Sequence, residues 1–182
     1  MTKEMALIAI IALAAPATAL GQTAGDWTGG SVGGQIGYLD GETSGAASID
    51  GDGATIGIRA HYDYDFGDYV IGGGIEFDSG DVDLGNGAAS IDNVLRLKAR
   101  AGIDAGQNWY YGTFGWAQAS VGDPADAIGD SDGYFLGLGA EVTLSDRATA
   151  GAEILYHNFD DFDLGGLEAD ATTLNFSVNF RF

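Results

Sequence analysis

The sequence has no cysteine, two prolines, and only seven lysines and arginines among its 182 residues. Without cysteine there are no disulfides, no thiol chemistry and no cysteine-ligated metal. Seven bases stand against 27 acids, for a net charge of −20. Nucleic acid is therefore not an expected partner, because phosphate binding needs a basic surface. Beyond the first twenty or so residues, no apolar run approaches the roughly 18 residues that a membrane-spanning helix needs. A membrane-spanning strand escapes that test, since its apolar residues come at every second position. What the chain has in quantity is glycine, 31 residues of it. Abundant glycine with little proline fits a strand-rich chain with tight turns better than a disordered one.

The first segment reads as a targeting signal. Lys3 opens it, an apolar run covers Ala6 to Ala15, Pro16 breaks the run, and small residues follow through Gly21. That order of charge, apolar run and small residues is that of a secretory signal peptide. The run is too short for a membrane anchor. Ala19 and Gly21 are the candidate cleavage positions, with Gly21 preferred. The predicted organisation is thus a signal peptide over 1–21 and one domain over 22–182.

The rest of the chain breaks into strand-length segments of alternating character, at about 27–39, 54–64, 69–78, 93–103, 109–119, 133–144, 148–157 and 172–182. Gly-, Asp- and Asn-rich breaks separate them. The breaks alternate in length. Asp65–Asp68, Asp104–Asn108 and Ser145–Arg147 are short, whereas those around 40–53, 79–92, 120–132 and 158–171 are long. Short turns at one end and long loops at the other is the pattern of an up-and-down outer-membrane barrel, short turns facing the periplasm.

Each strand has an oily and a polar face. In the fourth segment Leu95, Leu97, Ala99, Ala101 and Ile103 alternate with Arg96, Lys98, Arg100 and Gly102. Alternation alone does not decide which face is inside. A soluble lipocalin-like barrel puts the oily face inward, a membrane barrel outward. Three patterns favour the membrane barrel. After the leader there are six basic residues, and five of them (Arg59, Arg96, Lys98, Arg100 and Arg181) fall on the polar face of a strand, while Arg147 lies at a short turn. Glu76, Glu141 and Glu153 share that face, as do His61 and His157, and Asp63 and Asp78 fall near its ends. Water-exposed loops would share the cations, so their confinement predicts an internal ion-pair network, which must be paired because unpaired burial costs several kcal/mol per ion. Glycines such as Gly33, Gly57, Gly72, Gly74, Gly102, Gly137 and Gly139 also lie on the polar face. They would make room for long charged chains inside a barrel narrow enough for side chains to fill. Finally, Tyr38, Tyr62, Tyr64, Tyr69, Phe77, Tyr110, Phe114, Trp116, Tyr134, Tyr156, Phe180 and Phe182 lie on the oily face, most near a strand end, where interfacial girdles belong. The predicted fold is all-β: an eight-stranded antiparallel up-and-down transmembrane β-barrel with a charged and occluded lumen.

Three motifs carry a family resemblance. Gly137-Leu-Gly-Ala-Glu141 resembles the G-x-G-x-E strand of the OmpA/OmpX-type small outer-membrane barrels. Ala152-Glu-Ile-Leu-Tyr156 resembles the strand that follows it there, with Ile154 replacing the usual aromatic. Asn175 to Phe182 resembles the last strand, with its terminal phenylalanine. The resemblance implies export to the cell outer membrane, with its lipid and lipopolysaccharide as surroundings. It makes Phe176, Phe180 and Phe182 a signal read by the barrel assembly machinery. Cell-wall anchoring is not implied, because no peptidoglycan-binding domain of the kind carried by full-length OmpA-type proteins is seen.

No cofactor, catalytic group or metal centre is expected. Some barrels that resemble this one modify lipid A with a Ser–His arrangement open to the lipid, but His61 and His157 fall on the lumen face, where lipid does not reach. The preferred function class is a structural or porin-like surface protein; the alternative is a small passive pore for ions or tiny solutes, and the second alternative an outer-membrane lipid-modifying enzyme. The long loops are acidic, carrying Asp40, Glu42, Asp50, Asp52, Asp81, Asp83, Asp92, Asp123, Asp126, Asp130, Asp132, Asp160, Asp161, Asp163, Glu168 and Asp170. Divalent cations are the sharper reading of these carboxylates. A solvated, self-repelling surface is the preferred one, because Asp81-Val-Asp-Leu-Gly-Asn86 lacks full calcium-loop spacing.

Overall fold

The computed structural model describes residues 26–45, 50–84, 89–122, 130–161 and 167–182. The expected signal peptide and cleavage site lie outside them, as do Asn86, Asp123, Asp126 and Asp163.

Eight antiparallel strands form one closed sheet: β1 (Gly29–Gly45), β2 (Asp50–Asp65), β3 (Tyr69–Leu84), β4 (Ala89–Ala105), β5 (Asn108–Gly122), β6 (Asp130–Ser145), β7 (Ala148–Asp161) and β8 (Leu167–Arg181). Each strand pairs with its sequence neighbour, and β8 closes on β1 from Ser31↔Arg181 to Gly45↔Leu167. At the seam the last residue is stitched to the first strand: the Phe182 amide donates to the Gly30 carbonyl and the Gly30 amide donates back. Closure satisfies the backbone groups of every strand, which is what permits a sheet in lipid at all.

The short turns form where the sequence places them. In Asp65-Phe-Gly67 and Asp104-Ala-Gly106 the aspartate carboxylate accepts from the glycine amide two residues on, at 2.7 Å in each. Both glycines sit at positive φ, 98° and 79°, a region that other residues rarely adopt.

The long-loop end differs from the sequence expectation. Strand pairing runs well past the oily segments, through Glu42↔Asp50, Leu84↔Ala89, Ser120↔Asp130 and Phe159↔Ala169. Most of the stretch read as loop is therefore hairpin. Asp- and Gly-rich sequence argues against a strand by propensity, but that preference is weak when a neighbouring strand continues the ladder. Asp40, Asp52, Asp132 and Asp170 are thus strand residues.

The two faces divide sharply. Ile36, Ile56, Ile58, Ile75, Leu97, Ile103, Phe114, Leu136, Leu138, Val178 and the girdle aromatics other than the half-buried Tyr110 point outward and are exposed. The charged face points inward and is buried, Arg59, Glu76, Arg96, Lys98, Arg100, Glu141 and Glu153 among it. Exposed oil around a buried charged centre inverts the soluble arrangement and fits a molecule whose surroundings are hydrocarbon. Two inward glycines show how tightly the interior is filled. A Cβ at Gly102 would fall on the Tyr110 carbonyl, and one at Gly139 on the Tyr111 ring.

Candidate functional site

The lumen is built around β4. Arg96, Lys98 and Arg100 are successive inward positions there, about 6.6 Å apart along the strand given a rise of roughly 3.3 Å per residue. Each heads one tier of an ion-pair column. Because β4 runs from the long-hairpin end to the short-turn end, Arg96 is on the external side and Arg100 on the periplasmic side.

The middle tier holds Lys98. Its Nζ lies 2.9 Å from Glu76 Oε1, and 2.7 and 2.8 Å from the two carboxylate oxygens of Glu153. Arg59 Nη2 approaches the same two carboxylates, at 3.1 Å from Glu76 and 3.9 Å from Glu153, as an ion-pair contact without good hydrogen-bond direction. His61 Nε2 sits 3.2 Å from Glu76. One ammonium thus bridges two glutamates that come from β3 and β7 on different sides of the barrel.

The periplasmic tier is organised by Arg100. Its Nε and Nη2 donate to the two oxygens of Asp63 at 2.9 and 2.6 Å, the paired fork that guanidinium and carboxylate geometry favours. Nη1 reaches Glu141 at 3.3 Å. Glu141 also accepts from Thr149 and from Asn179 Nδ2. In the external tier Arg96 pairs with Asp78 and donates from Nε to His157 Nε2 at 2.8 Å. Gln35 donates to Asp78 at 2.7 Å. The accepting Nε2 leaves His157 Nδ1 to face the Ala171 carbonyl, 3.4 Å away.

Four cations (Arg59, Arg96, Lys98 and Arg100) therefore meet five carboxylates (Asp63, Glu76, Asp78, Glu141 and Glu153). Asp63 and Asp78 lie in the two end tiers, as the sequence places them, and each is a full ion-pair partner there. Arg181 departs from the sequence expectation. Among the described residues it pairs with none of these carboxylates. It is half-exposed at the periplasmic mouth, donating to the Asp26 carbonyl at 3.0 Å. The reason is its place at the last step of β8, below the tier that Asn179 joins. Phe176, Phe180 and Phe182 lie on the outer face, exposed, along the strand that closes the seam.

Sequence reasoning missed the apolar layers that flank the column at both ends. Val94, Ala117, Ala119, Phe135, Leu155 and Phe159 cluster on the external side. Trp27, Val70, Trp109 and Tyr111 cluster at the periplasmic mouth. The signal is in the sequence, since Trp109, Tyr111, Phe135 and Leu155 stand on the polar face. One wall of the lumen is different. Asn175, Thr173, Ser177, Thr55 and Gln35 Oε1 on β8, β1 and β2 are buried polar groups with no hydrogen-bond partner among the described residues. Neither histidine bonds a serine hydroxyl among the described residues: His61 meets Arg59 and Glu76, while His157 meets Arg96 and Ala171 and packs against Phe135 and Phe159.

Comparison with known proteins agrees with this architecture. The family described as "Outer membrane protein beta-barrel domain" matches residues 5–182. The 31 kDa outer-membrane immunogenic proteins of Brucella melitensis and Brucella suis are each 27% identical over 218 residues, covering 99% of this chain and 90% of theirs. Among solved structures, Neisserial surface protein A superposes with a TM-score of 0.57 at 15% identity, over 85% of this chain and 98% of that one. Ail, the attachment invasion locus protein of Yersinia pestis, gives a TM-score of 0.53 at 15% identity, over 85% and 99%. At that identity the two structures speak to the fold alone.

Proposed function

We propose, from the premise that the chain belongs to the outer membrane protein beta-barrel family and resides in the cell outer membrane, that it acts there as a closed, non-enzymatic structural barrel that presents acidic hairpins outside. The observation that carries this reading is the Lys98 bridge between Glu76 and Glu153. It spans the lumen at mid-height with no exposed side-chain surface on any of the three residues. An eight-stranded barrel is narrow enough for side chains to fill it, and an ion-pair column with apolar layers above and below leaves no wide aqueous path. The absence of enzymatic activity is supported by the histidines, which are walled in by arginines and aromatics and face away from lipid. The outer girdles, with Tyr38, Trp116, Tyr134 and Tyr156 towards the external side and Tyr62, Tyr64, Tyr69 and Phe180 towards the periplasm, seat the barrel in lipid and lipopolysaccharide.

Planar-bilayer recording of the folded protein is the test. The expected trace is baseline, without steady openings; a steady large conductance overturns the closed reading. One observation favours a second reading, a passive path for ions or tiny solutes: the unpartnered polar wall formed by β8, β1 and β2. On that reading Glu76→Ala, Arg96→Ala or Lys98→Ala changes a small existing conductance, whereas a closed barrel has none to change.

A further inference from the structure

Residues 26–28 precede β1 and belong to no strand, yet Trp27 is only 1% exposed. The chain reaches the lumen through Gly29, whose φ of 144° is one that side-chain-bearing residues rarely adopt. A Cβ at Gly29 would also press on the Phe182 carbonyl at the closing seam. Just before joining the wall, the chain therefore folds inward and delivers an indole into the periplasmic mouth.

The indole is held from three sides of that mouth. The Trp27 amide donates to Asp65 Oδ2 at 3.0 Å, and Nε1 donates to Asp104 Oδ1 at 3.2 Å. These are the aspartates that build the two Asp-x-Gly turns. From β8, Arg181 lays its guanidinium 5.1 Å from the ring. On the inner side the ring packs on Trp109 with centroids 5.8 Å apart, and the Arg100 guanidinium lies 4.5 Å from Trp109. The order from mouth to network is thus Arg181, Trp27, Trp109, Arg100, with cations and rings alternating in the manner of a cation–π stack. None of these contacts on Trp27 is a strand-ladder hydrogen bond, so the indole is separable from the wall it plugs.

We propose that Trp27 is a periplasmic cork, and that its withdrawal opens the mouth of the lumen to water and small hydrophilic molecules. This rests on the closed-barrel reading, which it deepens by placing the periplasmic seal on one residue outside the strand ladder. It also gives Arg181 a role, that of holding the cork.

The chain's lack of cysteine makes the test clean. Val70 lies in the same apolar layer as Trp27 and is fully buried, so Val70→Cys supplies a single thiol behind the cork. The full-length protein, folded in lipid vesicles, is treated with a small charged methanethiosulfonate, and folding is checked by heat-modifiable gel migration. With Trp27 in place the thiol is expected to be protected. In Trp27→Ala its reaction is expected to accelerate on the order of tenfold or more, because thiol chemistry follows access. Trp27→Phe keeps a ring in the mouth and is expected to retain most of the protection. Trp27→Leu is the second variant should Trp27→Ala not fold, and it too is expected to react faster. Equally slow reaction with and without the indole overturns the cork while leaving the closed barrel standing. Fast reaction with Trp27 in place overturns the closed lumen at that mouth, and the cork with it.

Discussion

Replacing Lys98 with methionine is expected to lower the stability of the folded barrel by about 3–5 kcal/mol, the range seen when one partner of a buried ion pair is removed. Methionine keeps most of the apolar stem, so the change isolates the charge. Glu76 and Glu153 would lose the ammonium 2.9 and 2.7 Å away. Arg59 would be the cation remaining beside them among the described residues, more distant from Glu153, at 3.9 Å, with His61 Nε2 3.2 Å from Glu76. Two fully buried carboxylates sharing one off-centre guanidinium are undercompensated. The effect should shrink in the double variant Lys98→Met/Glu153→Gln, which removes the surplus negative charge along with the cation. The midpoint of urea unfolding in lipid vesicles, read from the heat-modifiable band, checks both. An unchanged midpoint for Lys98→Met would mean that the lumen is wet enough to solvate the glutamates, and would count against the closed barrel.

The second large effect is expected on the opposite face. Leu138→Arg should cost about 2–4 kcal/mol in a bilayer, and Leu144→Arg only about 0–1, the depth dependence of arginine on a lipid-facing strand. Both leucines lie on the outer face of β6 and are comparably exposed, at 63% and 61%. Leu138 falls midway between Tyr134 of the external girdle and the Ser145 turn, while Leu144 adjoins that turn. On a water-facing surface the two changes would be alike and close to neutral, so the difference between them reads out lipid directly. Urea titration of both variants in vesicles measures it; equal and small losses would place the oily face in water.

The lumen network was largely legible in the sequence because period-two alternation assigns faces without knowledge of partners. Arg59, Glu76, Arg96, Lys98, Arg100, Glu141 and Glu153 share a face by position alone. Which residue meets which was not legible, since that depends on shear and register across strands far apart in sequence. Asp63 meets Arg100 across Gly72, which pairs with both, and Asp78 reaches Arg96 one inward step along the neighbouring strand; neither partnership can be read without the register. Arg181 shares the face but not the level, and so falls at the mouth. Trp27 was hidden for a different reason: the segment 27–39 places it in the first strand, whereas β1 begins at Gly29, and the turn there is a property of the closed seam. The acidic ends of the strands were read as loops because Asp and Gly disfavour isolated strands, whereas the registers Asp40↔Asp52 and Glu42↔Asp50 continue a ladder already begun in the membrane.

The central claim is that the oily face meets lipid while a dry, charged column fills the inside. Methyl-resolved NMR of the protein in nanodiscs containing a lipid with a paramagnetic label on its acyl chain tests it without any substitution. The expected result is strong broadening of Ile36, Ile58, Ile75, Leu97, Leu138 and Val178, with Val70, Val94 and Leu155 spared both by that lipid and by a water-soluble gadolinium chelate. Broadening of Val70, Val94 and Leu155 by the lipid, or of the outward methyls by the chelate, would contradict it.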